Sequence, residues 1–377
     1  MLTEIRISRS ALAHNVAAFR RVIGPGVKLM AVVKSNAYGH GVGECAPVFA
    51  KSGVDWFGVA SVSEALQLQT FSRHKSVLAL SYVDVGVPKL RQAISKNIRL
   101  PAYTLEQLKQ YNAIARHTRT AARVHLKFDT GTTRVGFLPS ELPAVVQQLK
   151  LSKYIFVEGV YSHFAEVERK SQMFSNEQLN RFTTLVDKLE FALGRRVLKH
   201  IDCSAGVLLQ PASHFDMVRV GMSLYGIHTT QDVSGLQQRH PGFTLRPALR
   251  WVTQVIQVKR VPKGTTVGYN RTYVATRPTT IAVLPVGYWE GVDHGLSNRG
   301  SVLVHGKLAP IRGRVCMNLC MVDVSASRSV RVGDEAVIIG NQGRMRVSAD
   351  QLAQKLDTIP YEVVTRLNPL IPRKSTP

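Results

Sequence analysis

The chain has 377 residues, 45% of them hydrophobic, enough for two domains with a sizeable core and too apolar for a disordered chain. Its formal net charge is +24, from 49 Lys and Arg against 25 Asp and Glu. These basic residues are spread out, in short pairs such as Arg20-Arg21 and Arg195-Arg196, with no helix-turn-helix, zinc-finger or RNA-binding signature, so a solvated basic surface is expected and nucleic acid is not.

The opening residues, 1–6, lack the apolar core and small-residue cleavage site of a secretory signal. No later run approaches the roughly 18 apolar residues of a membrane span. A cytoplasmic protein is expected. To about residue 230, short apolar runs alternate with helix-like stretches. Strands are predicted over 28–34, 56–60, 76–81, 98–103, 123–129, 156–163, 198–204 and 217–225. The clearest helix spans 175–194, with Phe182, Leu185, Val186, Leu189 and Leu193 on one face. Ser175 and Gln178 suggest its capping box and Gly194 its stop. Eight such strand–helix units argue for a (β/α)8 barrel, which carries its chemistry at the C-terminal ends of the strands. Lys34, Asp129, His163 and Ser204 all fall at such ends.

Residues 231–240 read as a polar linker. Beyond it, β-branched runs at 251–261, 279–286, 301–304, 321–324 and 335–339 are separated by Gly, Pro and Asn turns. Only 349–356 looks helical, and 372–377 reads as a basic tail. The predicted organisation is α/β: an N-terminal TIM-type (β/α)8 barrel over 1–235, then a mostly β C-terminal domain over 236–377. Cys45, Cys203, Cys316 and Cys320 are too scattered for a disulfide framework and lack zinc-ligand spacing, so no metal is expected.

The apolar run Leu29-Met30-Ala31-Val32-Val33 ends abruptly in Lys34, before the glycine-punctuated loop Ser35-Asn36-Ala37-Tyr38-Gly39-His40-Gly41. Partial desolvation at a strand end lowers an ammonium pKa, and an easily neutralised lysine suits a Schiff base with an aldehyde cofactor. The residues alone leave open a lysine that snorkels to solvent. In Val124-His125-Leu126-Lys127-Phe128-Asp129 the period of two puts His125, Lys127 and Asp129 on one face, inward if helices cover the other. Charges there need partners, and Arg134 is near at hand. A structural charge network and a catalytic one are both compatible with this. Barrel phosphate sites form after strands seven and eight, where Ser204, Gly221 and Met222 lie.

The string from Ala31 to Gly41 closely resembles the cofactor-binding segment of bacterial alanine racemases, and further matches recur along nearly the whole chain. The resemblance implies pyridoxal 5'-phosphate as cofactor, carried on Lys34, with Tyr38 reaching its phosphate. His163 would lie beside the pyridine ring, and Ser204, Gly221, Met222 and Tyr361 would hold the phosphate. Arg219 would face the pyridine nitrogen; a guanidinium cannot accept its proton, so the ring should stay neutral and favour racemisation over side reactions. Arg134 would contact the cofactor phenolate and the substrate carboxylate, and Lys127 matches a residue that can be carbamylated. Tyr269, in Val267-Gly268-Tyr269-Asn270-Arg271, matches the second base, contributed by the other subunit of a homodimer with shared active sites. Free tyrosine, with a pKa of about 10, is a poor base, so cationic neighbours must lower it. Met317 would bind substrate carboxylate through its N–H.

Asn318, Asn270 and His294 stand where the family usually has Asp, Gly and Arg, which bears on substrate breadth more than on reaction type. The expected reaction is therefore L- to D-alanine interconversion. A racemase accepting serine or larger amino acids, a barrel-type decarboxylase and a non-catalytic pyridoxal phosphate-binding protein are the alternatives. Arg219 argues against the decarboxylase, and the second domain against the binding protein.

Overall fold

The computed structural model describes residues 2–72, 74–228 and 233–377. It divides into two compact units: Ala11–Ser35 with Ala46–Arg246, and Met1–Ser10 with Asn36–Cys45 and Pro247–Pro377.

The first of these units is the barrel. After β1 (Glu4–Ser8), which belongs to the other unit, come β2 (Lys28–Val32), β3 (Trp56–Ser61), β4 (Ser76–Tyr82) and β5 (Leu100–Ala102). Then follow β6 (Ala122–Lys127), β7 (Ile155–Tyr161), β8 (Leu198–His200) and β9 (Met217–Val220). All eight sequence-predicted strands are present. They pair in parallel as two four-stranded sheets, β4-β3-β2-β9 and β5-β6-β7-β8. A parallel bridge between Leu78 and Arg99 closes one seam, and the Asp216 N–H donating to the Lys199 carbonyl closes the other. Met30, Trp56, Leu78 and Met217, from four strands, form a buried cluster between the sheets. Long aliphatic and aromatic side chains fill such a barrel as a packed core rather than a pore.

Several strands end sooner than expected, and each early end builds part of the site. β2 stops at Val32, and Lys34–Tyr38 becomes one left-handed helical turn, with φ of 55, 53, 54 and 52° at Ser35, Asn36, Ala37 and Tyr38. Left-handed helix costs an L-residue roughly 1–2 kcal/mol, so four in succession are held by their surroundings. Gly39 continues the turn at φ 81°, where a Cβ would lie 2.0 Å from the Val364 carbonyl oxygen. After β8 the chain enters the short helix Ser204–Leu209, and after β9 the 3-10 turn Met222–Tyr225.

The helix Met173–Leu193 begins two residues before the predicted start and ends, as predicted, at left-handed Gly194. The expected capping box is absent. The Ser175 hydroxyl bonds the Gln172 carbonyl, and the buried Gln178 accepts from the Ala165 N–H and donates to the His163 carbonyl.

The second unit is mostly β. Its strands are β10 (Leu249–Gln254), β11 (Gln257–Val261), β12 (Thr266–Val267), β13 (Tyr273–Val274), β14 (Thr279–Leu284) and β15 (Ser301–Val304). They continue with β16 (Lys307–Pro310), β17 (Cys320–Asp323), β18 (Glu335–Gln342), β19 (Met345–Val347) and β20 (Arg373–Thr376). One sheet has the order β16-β15-β18-β10-β1-β20, a second β11-β14-β17, and β12-β13 is a hairpin. The run at 251–261 is thus two strands.

The basic tail is a strand as well: β20 pairs in parallel with β1, and the Arg373 guanidinium donates to the carbonyls of Gly39, Leu367, Asn368 and Ile371. Helix Ala349–Leu356 has the predicted bounds, capped by a Ser348–Gln351 box. A second helix, Pro360–Thr365, carries Tyr361. Within the expected linker, Val233–Arg239 is helical, and residues 231–232 lie outside the described ones. No helix among the described residues is long and apolar enough to cross a membrane.

Candidate active site

At the end of β6, His125, Lys127 and Asp129 are all buried, as the strand period implied. Asp129 does not take its partner from the Arg134 side chain. Its carboxylate accepts from the backbone N–H groups of Gly131, Thr132 and Arg134 at 2.8 Å each, and from the Thr132 hydroxyl. Those bonds hold its pKa down against the opposing effect of burial. Asp129 therefore shapes the loop that presents Arg134, whose guanidinium has no hydrogen-bond or ion-pair partner among the described residues.

Around this loop the barrel mouth is strongly cationic. Burial lowers the Lys34 pKa, and Arg134 lowers it further. Burial takes Lys127 down to about 8, with Arg134 and Arg219 adding to the shift. His163 lies well below its usual value through burial and then the Arg219 and Arg134 charges. The geometry thus gathers Lys34, Lys127, Arg134, His163 and Arg219 within electrostatic reach of one another. Lys34 is braced from behind by Glu64, whose carboxylate accepts the N–H groups of Ser35 and Ala60 at 2.7 Å each. Sequence reading missed Glu64 and took Gln178 only for part of a helix cap, because Ser35, Ala165 and His163, the backbone partners that matter, lie 29, 13 and 15 residues away.

Arg219, near the end of β9, is 6% exposed and donates to four acceptors. These are His200 Nδ1 at 2.8 Å, the Ser162 and Ile201 carbonyls at 2.8 Å, and His163 Nδ1 at 3.1 Å. None is a carboxylate. Burial of this cation among neutral partners takes its pKa down to about 10. Its Nε–H and one Nη1–H have no acceptor among the described residues, so two donors of the fork remain to offer an aromatic nitrogen or other acceptor.

The two early strand ends bring Ser204 and Gly221 together: the Gly221 N–H donates to Ser204 Oγ at 3.1 Å. Ser204 starts one helical turn and Met222 another, so backbone N–H groups, a hydroxyl and a glycine meet at one place, a combination suited to phosphate oxygens.

In the second unit, the rings of Tyr38 and Tyr361 meet edge-on at 6.1 Å. Tyr269 is 71% exposed, on a turn that begins at Gly268 with φ 75° and continues left-handed at Asn270 and Arg271. With its amide turned over, the Asn270 oxygen would accept from the Arg314 guanidinium at 3.2 Å. Tyr269 lines one groove with Val267, Ile281, Cys316 and Met321. Met317, next to Cys316, is exposed, and its N–H has no acceptor among the described residues. Gly287 permits that loop: a Cβ there would lie 2.1 Å from the Cys316 carbonyl oxygen and 2.4 Å from that of Met317.

Residues 7–229 match the family model for the alanine racemase N-terminal domain and residues 248–375 that for the C-terminal domain. The chain belongs to the alanine racemase family. Its alanine racemase relatives include "Alanine racemase 2" of Caldanaerobacter subterraneus, 37% identical over 98% of this chain and 94% of that protein. The alanine racemase of Desulfosudis oleivorans is 38% identical over 97% of this chain and 95% of its own length. Among solved structures, alanine racemase from D-cycloserine-producing Streptomyces lavendulae superposes with a TM-score of 0.93 at 33% identity, covering 100% of this chain and 97% of that one. Alanine racemase from Bartonella henselae, with covalently bound pyridoxal phosphate, gives a TM-score of 0.86 at 25% identity over the whole of both chains. Alanine racemases depend on this cofactor, and the residues here fit it: an uncommitted Arg219 donor, a phosphate-suited pair of turns, and a lysine held toward its neutral form.

Proposed function

We propose that this enzyme interconverts L- and D-alanine by a two-base route, with Lys34 serving one face of the substrate and Tyr269 of a second copy the other. The observation that carries the reading is the cationic strand-end cluster of Lys34, Lys127, Arg134 and Arg219, in a chain that matches alanine racemases along nearly its whole length. Bound pyridoxal 5'-phosphate supplies an aldehyde for the substrate amine and an electron sink that makes the α-proton acidic.

This chain's residues do the rest. Lys34 would hold the cofactor and, as a neutral amine, would take or return the proton on the face that yields the D-enantiomer. Tyr269 does so on the L face, because one group cannot easily serve both sides of a planar centre. Arg219 would donate to the pyridine nitrogen without accepting a proton, so the ring it holds would stay neutral. His163 would lie beside the ring. Tyr38, Ser204, Gly221, Met222 and Tyr361 would bind the phosphate, and Arg134 and the Met317 N–H would orient the substrate carboxylate. Lys127 as a carbamate would be an anion facing Arg134, turning a repulsive neighbour into a partner. The exposure of Tyr269 and Met317 within a single chain supports a homodimer with shared active sites. A cytoplasmic location belongs to the same proposal.

A racemase of broader specificity is the second reading. It is favoured by Asn318, whose amide bonds Glu290 at 2.8 Å, and by exposed His294, its ring 6.4 Å from that of Tyr288. Incubation of L-alanine, L-serine and L-lysine with the holoenzyme, followed by chiral chromatography, tests both. Rapid approach to the racemate with alanine alone is expected. Equal turnover of serine or lysine moves the assignment to the broader enzyme, and no inversion with cofactor bound overturns the racemase reading.

A further inference from the structure

Beneath Arg219, inside the barrel, lies a pair of histidines with no part in the reaction described above. His200 Nδ1 is 2.8 Å from Arg219 Nη1, and His200 Nε2 is 2.8 Å from His125 Nδ1. The second bond spans from β8 to β6 past the intervening strand β7, at the level of Gly159. A Cβ on Gly159 would lie 2.5 Å from His125 Nδ1, so the missing side chain leaves room for the contact. On the same strand, Tyr161 stacks flat on His200, with centroids 4.9 Å apart and planes 2° from parallel.

The proton positions follow from donor arithmetic. A guanidinium nitrogen only donates, so His200 Nδ1 must present its lone pair to Arg219. A neutral His200 then carries its hydrogen on Nε2, and His125 Nδ1 must accept it. That leaves the His125 hydrogen on Nε2, which is buried without a partner among the described residues. The charged groups facing the pair from neighbouring strands oppose protonation. Arg219 faces both rings, and Arg99, itself paired with Glu158, stacks on Trp56, whose ring abuts His125. Lys127 lies over Tyr161, and the Tyr161 hydroxyl is committed to the Leu80 carbonyl. Burial, with these cations, takes His125 down to about 3 and keeps both rings neutral.

A buried donor without an acceptor is costly, and a phenylalanine of similar shape at position 125 would avoid that cost. What histidine supplies there is the acceptor. We propose that His125 is a positioning residue: by accepting from His200 Nε2 it locks His200 in the tautomer whose lone pair holds the Arg219 guanidinium. Arg219 is thereby aimed with its Nε–H unspent. Without His125, the Nε2–H of His200 is orphaned, and the opposite tautomer, which points a hydrogen at Arg219, becomes competitive. The proposal rests on the reading that Arg219 serves the cofactor ring.

Histidine 15N NMR of the holoenzyme, with alanine kinetics on His125→Phe and His125→Asn, tests it. Phenylalanine keeps the ring shape and removes the acceptor; asparagine keeps an acceptor near the Nδ1 position and gives up the ring. In the unsubstituted enzyme both rings are expected neutral with hydrogen on Nε2 from pH 5 to 8. His125→Phe should lower kcat about tenfold, as loss of a supporting hydrogen-bond partner does, with KM within about twofold. It should also leave His200 in mixed tautomers. His125→Asn should restore both the tautomer and most of kcat. Nδ1–H or imidazolium signals in the unsubstituted enzyme overturn the proposal, as does His125→Phe with unchanged kcat and tautomer. Equal loss from both variants shows packing alone and overturns it too. The NMR arm reads the relay whatever the substrate, so absence of alanine turnover would fault the functional reading separately.

Discussion

The barrel mouth and the loops of the C-terminal unit carry their candidate residues in opposite ways. In the barrel, Lys127, Arg219, Ser204 and their supports are buried, and Arg219 alone spends donors on four acceptors within the unit. In the C-terminal unit, Tyr269 and Met317 are 71% and 57% exposed, on loops shaped by left-handed residues and by Gly287. The first region is preorganised by its own chain. The second has the geometry of a surface that finishes its work against something else, which on the present proposal is another copy.

Breaking the barrel side should have the largest effect. Lys34→Ala should reduce racemisation by more than about 1,000-fold, since both the cofactor attachment and one base are lost; chiral chromatography reads it. Tyr269→Ala should cost about 100- to 10,000-fold, the range of a lost general base. Its signature is asymmetry: in D2O the variant should exchange the α-hydrogen of D-alanine faster than that of L-alanine. Equal slowing of the two would refute the assignment of faces.

Lys127 gives an intermediate effect with a pH sign. Only a neutral amine takes up carbon dioxide, and with its pKa brought down to about 8 Lys127 offers that form increasingly as pH rises through 8. Bicarbonate should therefore raise activity more at pH 8.5 than at pH 7 and have no such effect on Lys127→Ala. That variant should itself lose about tenfold in kcat/KM, the worth of one charge-assisted hydrogen bond. Intact-protein mass spectrometry under mild conditions detects the adduct, and a free amine throughout would remove the carbamate from the account.

Two glycines sharpen the contrast. Gly159→Ala would push a Cβ to 2.5 Å from His125 and 2.9 Å from the Leu198 carbonyl oxygen. Overpacking of this kind costs about 1–3 kcal/mol, visible as a lowered Tm. Gly287→Ala presses instead on the exposed loop at Cys316 and Met317, so its main effect should be on KM for alanine. If both glycines act alike on Tm and KM, the two regions do not differ as described.

The smallest effect expected is at Asp202. This buried carboxyl accepts from the Ser213 hydroxyl at 2.5 Å, and burial pushes its pKa up to about 7. Between about pH 4 and 7 the folded state then holds a proton that the unfolded chain has released, so this group lowers stability as pH rises through that window. Asp202→Asn should therefore gain Tm relative to the unsubstituted protein as pH rises from 4 to 7. A constant difference across that range would contradict the sign.

What could be read from the sequence follows from chain distance. The barrel strands were legible because each is a short apolar run bounded by turn residues, and helix Ala349–Leu356 because its apolar face repeats at helical spacing. β1 and β20 were not, because each is stabilised by the other and by partners at the opposite end of the chain. Helix Pro360–Thr365 is too short to show a period. In the site, residues within motifs were visible, and so was the inward set on β6. The left-handed turn was not, since Ser35, Asn36, Ala37 and Tyr38 include no glycine to announce positive φ. The histidine pair was also hidden, because its bond joins residues 75 positions apart past a glycine on the strand between them.

The most direct test of the shared, two-base site is complementation between Lys34→Ala and Tyr269→Ala. Each should be nearly inactive alone. If each site takes Lys34 from one copy and Tyr269 from the other, a mixed dimer has one site with both lesions and one with neither. Co-expression with random pairing should then restore about a quarter of the unsubstituted activity. Activity no greater than the sum of the two separate variants, with mixed dimers shown to form, would contradict the account and place both bases in one chain.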